Sequence, residues 1–318
     1  MATFPTSIKA FSTLVDLVDS VLASHQNEHR DETTAIEGFL LGGKISVTVS
    51  ANDITVALKS YDGGDPSATE PVWVRIGTTW RSVTAALSVT LADGTAWMGL
   101  GTPFAALEQQ FFAYLGWRAA SSAVVIGFAR IPSATVYSDF SATTTNEKYG
   151  AFSTAPASTD DVVNVGRFSA TLSASASYNW SVPTFTSSNL IQRPIYETDW
   201  MYWLPAPTGF SAVPTNTVYR YRIVGKMVEA EVREATAGTS NATTLTMTAP
   251  FTAITLTNMS WNGLGRGSNN SANLATTVIG NIASAAATIN FFIDPAATAW
   301  TGSGTKSITQ WRIWYQIA

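Results

Sequence analysis

The residues best suited to chemistry are two histidines and three carboxylate pairs. His25 and His29, the only histidines in the chain, stand four apart in HQNEH, so a helix would set both imidazoles on one face. A zinc-protease helix needs Glu directly after the first His, and Gln26 stands there. No third ligand is spaced to join them, and no metal is expected. Carboxylates pair at Asp160 and Asp161, Glu197 and Asp199, and Glu229 and Glu231. Glycoside hydrolysis needs two such groups roughly 5 to 10 Å apart across a cleft. Glu229 and Glu231 alternate on a predicted strand, about 7 Å apart by strand rise, and point the same way. That spacing fits a solvated sheet face better than a cleft. Gly263, Gly265 and Gly267 alternate in an Asn/Ser-rich stretch with no Lys or helix after it, so the stretch is read as a turn and not a phosphate loop. GxSxG and Walker motifs are absent. No catalytic residue and no cofactor are expected, and the chain is read as a non-enzyme.

Eleven tryptophans remain. Tryptophan fills cores and also supplies the flat platform on which sugars stack. Most are assigned to the core or to contacts between subunits. Trp261 and Trp300 lie in Gly/Asn/Ser-rich contexts and are the candidate receptor contacts. Charged residues make up 13% of the chain and the net charge is -4, which supplies no basic field for nucleic acid. The 46% hydrophobic content argues against wholesale disorder. Without cysteine there are neither disulfides nor thiolate metal sites. Apolar runs such as Ala123 to Ala129 fall far below the ~18 residues of a membrane span, so membrane insertion is not expected. The opening MATFPTSIKAF lacks the basic and apolar regions of a secretory signal.

The elements that must carry these residues begin with one long helix, predicted over residues 13–41. Thr13 and Asp16 form a capping pair, and Gly42 and Gly43 end the helix. Val15, Val18, Leu22, His25, His29, Glu32, Ile36 and Phe39 step alternately by three and four, as in an a/d seam. A narrow seam with polar members suits a self-associating, trimeric stalk in which the histidines fix register. The alternative is a helix packed on its own β domain. After Gly43 the period changes to two. Lys44 to Ser50 and Asp53 to Lys59 read as a hairpin across Ala51 and Asn52. VWVRIGTTWRSVTAALSVTL reads as two or three strands. Phe104 to Phe112 is compatible with a short helix after Pro103. Strands follow around Tyr114 and over Val124 to Ile131, and Ser133 to Ala176 reads as loop-rich, with Tyr137, Phe140, Tyr149, Phe152 and Phe168 as anchors. A boundary near Asp199 opens a fresh strand series: Val218 to Val224, Met227 to Glu234, Thr243 to Met247, Phe251 to Asn258 and Ile308 to Ile317. The fold class is therefore mainly β. Residues 1–12 form a docking segment, 13–41 a coiled-coil stalk, 44–198 a β-rich shoulder, and 199–318 a β-sandwich or jelly-roll knob.

FPTSIKAFSTLVDLVDSVLASHQNEHRDETTAIE resembles the N-terminal segment of tailed-bacteriophage fibre and minor virion proteins. DPSATEPVWVRIGTTWRSVTAALSVTL, RIPSATVYSDFSATTTNEKY and NLIQRPIYETDW resemble the middle region of a subset of them. The RYRIVGK turn and the closing aromatic strand are similar to fibre-tip knobs. The resemblance implies a homotrimer in the virion, assembled in the host cytoplasm. Its N-terminus would dock on other virion proteins, and its knob would meet a host-surface glycan or protein. The docking segment is read from Phe4, Ile8 and Phe11, apolar side chains with no partner within the chain, and from Pro5, which extends the segment. A head-decoration fibre and a glycan depolymerase are the alternative functions.

Overall fold

The computed structural model describes residues 23–92, 104–132, 141–142, 150–157, 159–173, 179–188, 190 and 197–317. The proposed docking residues Phe4, Pro5, Ile8 and Phe11, the seam residues Val15, Val18 and Leu22, and the side chain of His25 lie outside the described residues. Helix α1 spans Ala23–Leu41. Its two seam edges differ. His29 and Ile36 are exposed, whereas Glu32 is buried and the Phe39 ring meets Trp80 edge-on at 4.6 Å. The end of the helix is thus seated on the chain's own β region through Phe39.

The first β region contains β1 (Gly43–Ser50), β2 (Asp53–Ser60), β3 (Val72–Ile76), β4 (Thr79–Val83) and β5 (Leu87–Leu91). The β1–β2 hairpin turns at Ala51 and Asn52 with φ of 49° and 71°, the two positive values that a twist-matched two-residue turn requires. Strand β5 extends this hairpin to a three-stranded sheet, while β3 and β4 pair separately. A six-stranded sheet follows, built from β6 (Glu108–Arg118), β7 (Ala123–Ala129), β8 (Ser141–Ala142), β9 (Gly150–Phe152), β10 (Val162–Thr171) and β11 (Phe185–Ser188). Its order is β11-β10-β6-β7-β9-β8.

Two expectations fail in this region. Phe104 to Phe112 is not a helix: residues 104–107 form a turn, and β6 begins at Glu108. Consecutive residues Phe111 to Leu115 are all buried, so the strand is covered on both faces and shows no period of two. The stretch from Ser133 to Ala176 contains β10, a central ten-residue strand. Phe152 and Phe168 are anchors as expected, and Phe168 stacks on Phe111 at 5.2 Å.

The C-terminal region contains β12 (Met201–Tyr202), β13 (Phe210–Ala212), β14 (Thr215–Val224), β15 (Met227–Thr236), β16 (Gly238–Ser240), β17 (Thr246–Thr248), β18 (Ser260–Asn269), β19 (Ala272–Asn273), β20 (Val278–Ala283), β21 (Thr288–Phe292) and β22 (Thr305–Gln316). These form one connected sheet, with main order β12-β14-β15-β22-β18-β20-β21-β17, curled into a half-barrel. The closing aromatic strand is β22, at its centre. Phe251 to Asn258 is not a strand and contributes only a bridge from Ala253 to Ile317.

The glycine stretch is not a turn. It is β18, paired with β20 on one side and β22 on the other. Its alternation has a packing cause. A Cβ at Gly263 would stand 2.6 Å from the Trp311 indole and one at Gly280 2.5 Å from it. Bare backbone there lets the sheet close over a fully buried tryptophan. Gly280→Ala should therefore cost about 1–3 kcal/mol by overpacking, read as a lower urea midpoint with unchanged slope. A neutral result would mean that Trp311 moves aside freely.

The two β regions meet through a buried plug. The Arg130 guanidinium lies between the rings of Phe104 and Phe251, at 4.2 and 4.3 Å, and donates to the Tyr221 hydroxyl at 3.4 Å. Tyr221 in turn donates to Oε1 of Gln109, whose Nε2 donates to the Tyr202 carbonyl at 3.1 Å. Burial pushes the Tyr221 hydroxyl pKa up, so it remains a donor.

Candidate functional site

Strand register brings opposite charges into rows on the outer face of the curled sheet. Arg220 stands opposite Glu231 and Arg222 opposite Glu229; Glu231 then faces Arg312, and Glu229 faces Trp314. Glu229 is only 2% exposed and Glu231 is also buried. Arg222 Nε donates to Glu229 at 2.6 Å, and Arg312 reaches Glu229 at 3.2 Å and Glu231 at 3.0 Å. Arg220 adds a further 3.0 Å contact to Glu231. The pair is therefore not a solvated face. The longer arginines lie over it and shield it from water. Carboxylates covered this way are poorly placed as general acid and base, because the guanidinium groups already occupy them.

The arginines carry one more group. The Trp200 ring lies 4.7, 5.2 and 5.8 Å from the guanidinium carbons of Arg220, Arg222 and Arg312. Such stacking fixes a large side chain that would otherwise be free at the surface. Trp200 in turn lines an open groove of about 420 Å³ between the two β regions, within the range of about 300–1,000 Å³ usual for small-ligand sites.

The groove has aromatic walls and polar rungs. In the run Trp200-Met201-Tyr202-Trp203, alternation buries Met201 and Trp203 and turns the other two outward. Tyr202 is 54% exposed, and Phe185, on edge strand β11, is 45% exposed. Both line the groove. Gln110 and Asp199 clasp each other: Nε2 donates to Asp199 Oδ2 at 2.7 Å, and the Asp199 amide donates to Oε1 at 3.3 Å. Arg167 lies 3.7 Å from Asp199 and 5.3 Å over the Phe185 ring. Thr184 donates to Oε1 of Glu108. Two exposed rings beside fixed, solvent-facing hydrogen-bonding groups match the face and edge of a pyranose.

The candidate residues read from sequence mostly fall elsewhere. Trp300 is 2% exposed and donates its indole N–H to the Phe291 carbonyl at 2.8 Å, so it is a core residue and not a receptor contact. Trp261 is half-buried on β18 and packs against the core. Asp160 accepts backbone N–H groups from Ala119 and Ala157, which makes it a turn anchor. Glu197 approaches Arg222 at 3.9 Å, at the rim of the charged rows, and Asp199 alone of the sequence-flagged carboxylates lines the groove. Sequence reading missed Glu108, Gln110, Arg167, Phe185 and Tyr202. The alternation in WMYW was the one local signal for Tyr202. Among the described residues no three His, Asp or Glu gather as a metal site, and no helix is long and apolar enough to cross a membrane. No family model, no curated protein and no solved structure gives a significant match to the chain.

Proposed function

We propose that this chain is a virion fibre protein of a tailed bacteriophage, a homotrimer that docks by its N-terminus and attaches to a glycan on the host surface. The observation that carries the attachment reading is the groove, in which Phe185, Tyr202 and Trp200 flank solvent-facing polar groups. The virion assignment rests on the resemblance of the N-terminal and middle segments. The exposure of His29 and Ile36 on α1 is compatible with a trimeric stalk, and the curled C-terminal sheet serves as the knob. A non-enzymatic role is favoured because the best-spaced carboxylate pair, Glu229 and Glu231, is locked by three arginines.

Sedimentation of the full chain is expected to give about three times the 33.9 kDa monomer mass. A clean monomer at micromolar concentration would sink the fibre reading. Fluorescently labelled protein is expected to adhere to host cells, and Tyr202→Ala with Phe185→Ala to abolish that adhesion without lowering the melting temperature. Protein that stays on particles but never adheres would indicate a decoration fibre. Steady release of reducing ends from host polysaccharide would make the groove, with its carboxylates Glu108 and Asp199, a hydrolytic site.

A further inference from the structure

The groove's charged groups do not balance. Its charged side chains are Glu108, Asp199 and Arg167, two negative and one positive. The single cation stands 3.7 Å from Asp199, beyond hydrogen-bond distance, and 5.3 Å over the Phe185 ring. The amides are engaged: Gln110 with Asp199, and Gln109 with two backbone carbonyls. Glu108 and Asp199 each have one carboxylate oxygen occupied by these partners, and among the described residues the other oxygen of each is open. The groove's charged side chains therefore leave a net negative charge beside two exposed rings. Hydroxyl donors satisfy such a surface. A ligand carboxylate would meet two carboxylates against one guanidinium, which itself stands 3.7 Å from Asp199, and this net negative charge disfavours it.

Resting on the attachment reading above, we infer that the groove takes an uncharged, hydroxyl-rich pyranose and turns away sugars that carry a carboxylate. The ring stacks on Tyr202 or Phe185, and its hydroxyls donate to Asp199 and Glu108. Trp200, held from behind by the arginine rows, fixes the wall against which the sugar rests. Specificity at this site is then a matter of charge exclusion as much as of contact.

The test is a pair of probes that differ by one group, methyl glucopyranoside and methyl glucuronopyranoside, titrated into the full chain by saturation-transfer NMR. The glucoside is expected to bind in the millimolar range and about tenfold or more tighter than the glucuronide. Asp199→Asn with Glu108→Gln should narrow that ratio towards one, and Tyr202→Ala should weaken the glucoside about tenfold. All three positions are at the surface, and a thermal melt verifies that each variant is folded. Equal or reversed affinities for the two probes would overturn the inference and leave the attachment reading standing. Absence of any sugar binding, with adhesion to cells intact, would overturn it too and move attachment to another surface. Loss of both would end both readings.

Discussion

Arg222→Ala combined with Arg312→Ala is expected to lower stability by about 3 kcal/mol, well beyond an ordinary surface substitution. Both arginines serve Glu229, whose carboxylate is 2% exposed and receives Arg222 at 2.6 Å and Arg312 at 3.2 Å. An exposed ion pair contributes little, because water serves each partner nearly as well. Glu229 has no such recourse, since it lies in the sheet beneath the side chains that neutralise it. Stripping both leaves a buried charge without compensation, for which the measured range is about 3–5 kcal/mol. The lower end applies because the arginines are themselves a third to a half exposed, so water follows them out. Glu231 loses Arg312 but keeps Arg220 at 3.0 Å, so its share of the loss should be small. Replacing Glu229 by Leu in the same background should recover most of the stability, since the charge is then gone and the pocket is filled. Urea unfolding of the double and triple variants at neutral pH decides it. Equal midpoints for the two would show that the carboxylate was never isolated.

That expectation rests on a site whose parts were unequally legible. The hairpin of β1 and β2 was readable because one face is buried and the other is wet, so period two is written into the residues. Strand β22 was readable from its aromatic and β-branched density. Strand β6 was not: Phe111 to Leu115 are covered on both faces, which erases alternation, and Pro103 offered a false helix start. Strand β18 was hidden by glycines that exist because Trp311 occupies the space their side chains would need. The groove was the least legible part. Gln110 and Asp199 are 89 residues apart, and Glu108 and Thr184 are 76 apart, so no local spacing announces them. Even the correct same-face reading of Glu229 and Glu231 gave the wrong environment, because solvent is excluded there by arginines on neighbouring strands.

Glu234→Gln is expected to stabilise the protein above neutral pH and to flatten its stability profile between pH 4.5 and 8. Glu234 is 1% exposed. Strand β22 pairs with β15 as far as Trp311 and with β16 at Thr305 and Lys306, which leaves the Ile308 amide between partners. That N–H donates to Glu234 Oε2 at 2.7 Å, and the Tyr219 hydroxyl donates to Oε1 at 3.0 Å. These two donors favour the carboxylate, but burial outweighs them and pushes the Glu234 pKa from 4.5 up to about 7. Tyr219 does not compete for the proton in this range, since burial and the neighbouring Glu234 push its own pKa further up. Below pH 4.5 the group is protonated whether the chain is folded or not, and the full stability is present. As pH rises from 4.5 to about 7 the unfolded chain releases its proton while the folded one keeps it, so the unfolded state binds fewer protons and stability falls. Above about 7 both are ionised and a constant penalty of roughly 3 kcal/mol remains. Glutamine keeps the length and an oxygen for the Ile308 amide, and it cannot ionise. Melting temperatures of the two proteins should therefore converge near pH 4.5 and diverge by several degrees or more above pH 7. Parallel curves would mean that water reaches Glu234 and that its carboxylate ionises as it does in the open chain.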